Sequence, residues 1–142
     1  MRRRGTARLL GLLAVLALGL VLQRGRSPSD GGAGHAELAE AYRERSSGIV
    51  VESEGLVERI LADDREGTPH QRFILRLSGD HTVLVSHNLD LASRVPVSEG
   101  EVVRFRGQYE WNEQGGVVHW THHDPNGRRP GGWIRHEGVL YR

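Results

Sequence analysis

Histidines and hydrogen-bonding neighbours are concentrated in a few short strings of the sequence. Residues 86–94 (SHNLDLASR) form one string, and residues 109–112 (YEWN) with 119–125 (HWTHHDP) form another. Imidazole can donate or accept a hydrogen bond, exchange a proton near neutral pH or bind a metal ion. Five of the eight histidines lie in or beside predicted strands: His70, His87, His119, His122 and His123. Chemistry or ligand recognition is therefore expected in these strings.

A divalent metal site is one alternative for the second string. His122, His123 and Asp124 are contiguous, and His119 is close to them. Catalytic zinc often takes three such ligands and a water. On a straight strand His119 and His123 lie about 13 Å apart, at about 3.3 Å per residue, so they share an ion only if the chain turns near His122. In this alternative the chain is a metal-dependent hydrolase, with phosphodiesters as its candidate substrates.

A ligand-binding surface without catalysis is the preferred interpretation. The sequence has no serine elbow of the Gly-x-Ser-x-Gly type and no carboxylate pair typical of glycosidases. Aromatic faces and polar side chains together suit recognition of bases or sugars. The residues expected to contact a ligand are His70, Arg72, His87, Asn88, Asp90, Arg94, Tyr109, Trp111, His119 and His123. A third alternative is that the strings only hold loops together.

The elements that must position these residues are mostly strands, because apolar residues alternate from Ile49 onward. Strands are predicted over residues 49–61, 70–77, 81–87, 102–111 and 117–122, with a bend at Gly55 and a helical turn at 88–94. Three strands, a short helical connection and two more strands follow the order of the oligonucleotide/oligosaccharide-binding (OB) barrel. We therefore expect a mainly β, five-stranded OB-like barrel whose interior holds Phe73, Leu75, Leu77, Val103 and Phe105. Two further short strands are predicted in the tail, at residues 133–136 and 139–141.

Three regions are expected along the chain. Residues 1–26 form a signal peptide or membrane anchor, residues 27–47 a linker and a short helix, and residues 48–142 the OB-like domain. The glycine-rich stretch at 27–34 is typical of a flexible linker. Good helix formers at 35–46 predict the helix, which Gly48 ends.

We expect the first 26 residues to direct the remainder across a membrane. Four arginines precede an apolar run from Leu9 to Leu22, and Arg24 and Arg26 follow it. This arrangement is typical of a secretory signal, and its 14 residues are fewer than the roughly 20 of a comfortable span. Bulky residues after the run, however, offer no small-residue cleavage site. The sequence does not decide between a cleaved signal and a membrane anchor. Each of the two predicts a periplasmic or other extracytoplasmic domain.

The charge of the expected domain differs from that of the whole chain. The chain has 19 basic residues, all arginine, and 18 acidic ones. Six arginines lie within residues 1–26, so residues 27–142 carry 13 arginines against 18 acids, a net charge of −5. This disfavours general nucleic-acid binding. The absence of cysteine excludes disulfides and thiolate metal sites.

The sequence resembles an uncharacterised bacterial family catalogued as domain of unknown function 3465. The resemblance covers about residues 48–142 and rests on the strings at 70–75 (HQRFIL), 87–92 (HNLDLA), 109–112 (YEWN), 115–125 (GGVVHWTHHDP) and 132–134 (GWI). It implies an exported protein and assigns no catalytic residue.

Overall fold

A computed structural model describes residues 30–142, so the predicted signal or anchor segment lies outside the described residues. The elements are α1 (Asp30–Glu44), β1 (Ile49–Ile60), β2 (His70–Arg76), β3 (Thr82–Asn88), β4 (Val102–Glu110), β5 (Val117–His119), β6 (Trp133–His136) and β7 (Val139–Tyr141). Within residues 30–142 no helix combines the length and apolar character needed to cross a membrane.

Five strands close into a barrel in the order β1-β2-β3-β5-β4, with β4 pairing back onto β1. The long β1 makes closure possible, because Ile49–Leu56 pairs with β4 and Leu56–Ile60 pairs with β2. The pairing with β2 is irregular between Val57 and Arg59, two residues beyond the predicted bend at Gly55. The prediction of a mainly β, closed five-stranded barrel with one short helix is confirmed.

The barrel interior follows from the alternation of apolar and polar residues in the strands. All five predicted core residues are buried: Phe73, Leu75, Leu77, Val103 and Phe105. Burying one such side chain stabilises the fold by about 1.5–3 kcal/mol. Helix α1 adds Leu38 and Ala41 to the same cluster.

One edge of β4 is shared by two strands. Gln108–Glu110 pairs with β5, and Arg104–Arg106 pairs with β6. Residues 120–132 therefore leave this edge and return to it on either side of Gly107. A Cβ at Gly107 would lie 2.5 Å from the carbonyl oxygen of His119, so the approach requires glycine.

The connection from β3 to β4 contains the predicted helical turn and no longer helix. The side-chain oxygen of Asn88 accepts the backbone N–H groups of Asp90 and Leu91, as an asparagine does at the start of a helix. The N–H of Ala92 donates to the carbonyl of Asn88 at 3.1 Å, and no further helical turn follows in the described structure.

The contact between α1 and β1 yields a stability prediction. Ser53 Oγ is buried without a hydrogen-bond partner, and Gly34 of α1 packs directly over it. Ser53→Ala should leave the free energy of unfolding unchanged or raise it by up to about 1 kcal/mol, because it removes an unsatisfied hydroxyl. Gly34→Ala should lower it by about 1–3 kcal/mol, since the new Cβ would lie 2.1 Å from the carbonyl oxygen of Glu52.

Urea unfolding of the full chain in detergent, followed by tryptophan fluorescence, measures both effects. A clear loss of stability in Ser53→Ala would mean that the hydroxyl is satisfied in solution, which contradicts the prediction.

Candidate functional site

One end of the barrel holds a cavity of about 230 Å³, which we call the histidine cavity. It is lined by His70, Asn88, Leu91, His119, Trp120 and His122. His70 opens β2 and pairs with Asn88 at the end of β3, while His119 ends β5. Because β3 and β5 are parallel, their last residues lie at the same end of the barrel.

Hydrogen bonds to backbone carbonyls orient two of the cavity's imidazoles. His70 Nδ1 donates to the carbonyl oxygen of Thr68, and His122 Nδ1 donates to that of His123, each at 2.7 Å. A carbonyl oxygen can only accept, so both Nδ1 atoms carry the proton. In the neutral ring the Nε2 atom of each residue is then left with a lone pair.

The third imidazole is oriented by a carboxylate. His119 Nε2 lies 3.4 Å from Oε1 of Glu110, which leaves the Nδ1 atom of His119 with the lone pair. The pKa of Glu110 is lowered, first by the hydrogen bond from the Gln108 side chain and then by that from His119. Glu110 is thus held as a carboxylate that fixes the ring.

The three lone-pair nitrogens are accessible to solvent. Among residues 30–142, Ser53 Oγ is the one side-chain nitrogen or oxygen that is closed off from solvent without a hydrogen-bond partner. Nε2 of His70, Nδ1 of His119 and Nε2 of His122 have no protein partner. They therefore remain accessible, and the side chains that carry them line the cavity.

Trp120 lines both the histidine cavity and a second cavity of about 160 Å³. Its φ of 55° is in the left-handed region, which costs a residue with a Cβ about 1–2 kcal/mol. The ring holds this position between two partners, with the guanidinium of Arg129 4.6 Å from its centroid and the His122 ring at 5.1 Å. A Cβ at Gly132 would collide with the carbonyl oxygen of Trp120 at 1.8 Å.

His87 lies in the barrel interior and joins the two loops that flank the cavity. Its Nε2 atom donates to the carbonyl oxygen of Ser93 at 3.1 Å, and its Nδ1 atom accepts from the Thr121 hydroxyl at 2.7 Å. The side chain is completely buried, and burial lowers the pKa of His87 to about 4. His87 was expected on the ligand surface, but the structure gives it a supporting position behind that surface.

Two aromatic residues expected on the ligand surface are instead part of the fold. Tyr109 is completely buried and donates its hydroxyl to the carbonyl oxygen of Gly115. Trp111 is half-buried against α1, where its indole N–H donates to the carbonyl of Tyr42 and Arg45 lies over its ring. Tyr109 faces inward because it shares a strand face with Phe105.

Three polar residues of the predicted surface lie outside the cavity lining. Arg94 forms an ion pair through both guanidinium nitrogens with Asp63 of the β1–β2 loop. Arg72 donates to the carbonyl of Ala62 in the same loop at 3.0 Å. Asp90 is exposed on the turn after β3. The two arginines therefore hold the β1–β2 loop in place.

The four predicted metal ligands are not brought together. His119 and His122 line the cavity, whereas His123 is exposed. The carboxylate of Asp124 accepts backbone N–H groups of its own loop at 2.7–3.0 Å, from residues 126, 128 and 129. In the described part of the chain, the group with three ligating atoms within 4.8 Å is Glu101, His136 and Glu137, where the residue before β4 meets the β6–β7 turn.

Sequence reasoning identified His70, Asn88 and His119 as ligand contacts and His122 as a metal ligand, and the structure brings these four into one cavity. It did not select Leu91 or Trp120 as cavity residues. Trp120 lies inside the string at 119–125, so its neighbours were a usable signal. Leu91 carried no signal, because one apolar residue in a turn has no characteristic spacing.

Comparison with known proteins identifies one family. Residues 20–142 match the family described as Protein of unknown function (DUF3465). No curated protein matches the chain.

The lowered pKa of His87 predicts a pH-dependent stability. The pKa of His87 is about 6.5 in the unfolded chain and about 4 in the folded protein. At any pH between these two values, the unfolded chain binds the proton more readily than the folded protein does. The free energy of unfolding should therefore fall by about 2 kcal/mol between pH 7 and pH 5 from this residue alone. Urea unfolding of the full chain at both pH values measures the loss.

His87→Gln should flatten the dependence on pH between pH 7 and pH 5. The control is His81→Gln, a change at a half-buried histidine outside the cavity. This variant should lose as much stability between pH 7 and pH 5 as the wild type does. An equal pH dependence in His87→Gln and the wild type would show that His87 does not cause it.

Proposed function

Because the chain belongs to the DUF3465 family, whose description names no activity, we propose a function from the cavity itself: an extracytoplasmic binding domain that holds a small molecule in the histidine cavity without transforming it. The observation that carries the proposal is the convergence of three oriented imidazoles and Asn88 on one cavity. These nitrogens are accessible and have no protein donor, so they are available to accept hydrogen bonds from a ligand.

The size of the cavity supports a molecule as the ligand. At about 30 Å³ per water, a volume of about 230 Å³ corresponds to roughly seven or eight waters. A cavity of this volume can hold a small organic compound. The lining also includes apolar surface from Leu91 and Trp120, and a mixture of apolar walls and a few polar groups is typical of small-molecule sites.

The strand order supports assignment to the OB-like class. The order β1-β2-β3-β5-β4, the return of β4 to β1 and the parallel contact of β3 with β5 match the five-stranded Greek-key barrel expected from the sequence. Barrels of this class commonly bind oligonucleotides or oligosaccharides. This support is an analogy of fold, and the cavity residues supply the specific argument.

The lining favours binding over catalysis. Its six side chains include no hydroxyl, thiol or carboxylate, so the cavity offers imidazoles that could move a proton but no serine, threonine or cysteine nucleophile. The metal-dependent hydrolase has less support, because Asp124 is engaged by its own loop and His123 is exposed.

The proposed location rests on the N-terminal sequence. Arginines before the apolar run from Leu9 to Leu22 support export, and the same run would hold the domain at the membrane if it stays attached.

Filling the cavity tests the proposed function. Leu91→Trp should abolish binding of small polar fragments, since the larger side chain occupies the space that they need. Leu140→Trp, at an exposed position of β7, is the matched control and should bind like the wild type. Saturation-transfer NMR with the detergent-solubilised full chain and a fragment panel measures binding.

Thermal unfolding of both variants shows whether they remain folded. Fragment binding that survives in a folded Leu91→Trp variant would place the ligand elsewhere and contradict the proposal. A wild-type chain that binds no fragment would leave the purely structural alternative.

A further inference from the structure

We infer that the ligand of the histidine cavity is an uncharged molecule with several hydroxyl groups, of the class of a polyol or monosaccharide. The inference rests on the proposed function and specifies the chemistry of the same site.

The balance of donors and acceptors in the cavity carries the inference. Nε2 of His70, Nδ1 of His119 and Nε2 of His122 are acceptors without a protein donor. The side-chain oxygen of Asn88 already accepts two backbone N–H groups. The group of Asn88 that can hydrogen-bond a ligand is therefore its amide NH₂, which donates. The residues that line the cavity thus carry three acceptors and one donating group that the protein leaves unused. Hydroxyl groups match this set because each can donate to an imidazole and still accept from an amide.

The absence of charge from the lining argues for an uncharged ligand. None of the six lining residues is aspartate, glutamate or arginine. An anion would meet three lone pairs, and a cation would find no carboxylate facing it. Moving a charge out of water without a partner is costly.

The nearest charged groups are already engaged. Glu110 is bonded to Gln108 and His119, and Arg129 lies over the Trp120 ring and lines the second cavity. Neither residue is among those that line the histidine cavity.

The spacing of the nitrogens favours a molecule over a single metal ion. Zinc binds imidazole nitrogens at about 2.0–2.1 Å, which places tetrahedral ligand atoms about 3.4 Å apart. Within residues 30–142, the three histidines do not form a group whose ligating atoms all lie within 4.8 Å of one another. A molecule with hydroxyls on several carbons can instead reach the separated nitrogens, with Leu91 beside its C–H groups.

The test uses the full chain labelled with ¹⁵N-histidine, at pH 8, where imidazole is uncharged. The protein is held in lauryldimethylamine oxide micelles, because the sugar headgroup of an alkyl glycoside would compete. The probes are glucose, galactose, ribitol and myo-inositol. At least one should shift the lone-pair nitrogen signals of His70, His119 and His122 saturably, while the His81 signals stay unchanged.

His122→Gln should weaken the binding of that probe about tenfold, the equivalent of one lost hydrogen bond. His81→Gln should leave the affinity unchanged, since His81 lies outside the cavity. Equal affinity in His122→Gln and the wild type would overturn the assignment of the ligand to these imidazoles.

Inorganic phosphate, methylammonium and Zn²⁺ are titrated in parallel. If one of these charged probes shifts the three histidines and no polyol does, the inferred ligand class is wrong and the proposed binding function stands. If no probe of either kind shifts them, the proposed function falls together with the inference.

Discussion

The sharing of one β4 edge between β5 and β6 is the constraint on which the cavity depends. Two strands cannot hydrogen-bond to the same residues, so β5 must end where β6 begins along that edge. The connecting segment has to bulge out and return over Gly107. This excursion starts at Trp120 with a left-handed backbone, and it carries His122 back toward the end of the barrel.

Barrel closure supplies the remaining members of the cavity. The parallel contact of β3 with β5 places their final residues at the same end of the barrel, and antiparallel pairing with β3 brings the first residue of β2 opposite Asn88. His70 and His119, which are 49 positions apart in the sequence, meet for this reason. Buried His87 then joins the two flanking loops through Ser93 and Thr121, so a group in the core stabilises the shape of the cavity.

Much of the barrel could be predicted from the sequence because each strand has one buried face, and burial imposes a period of two. The same rule places Tyr109 with Phe105 in the interior, although its polar neighbours suggested a surface role. The proximity of His70 and His119 depends on the order of the strands, so the spacing of residues along the sequence could not predict it. The role of Asp124 was also hidden, because a carboxylate before Pro-Asn-Gly can bind a metal or close its own turn, and here it closes the turn.

Trp120 is shared by both cavities. It lines the histidine cavity and the smaller cavity, and its ring contacts are His122 and Arg129. A change in the rotamer of Trp120 would therefore alter the shape of both cavities. Because Arg129 contacts the same ring, the loop that carries Arg129 and the lining of the histidine cavity have one side chain in common.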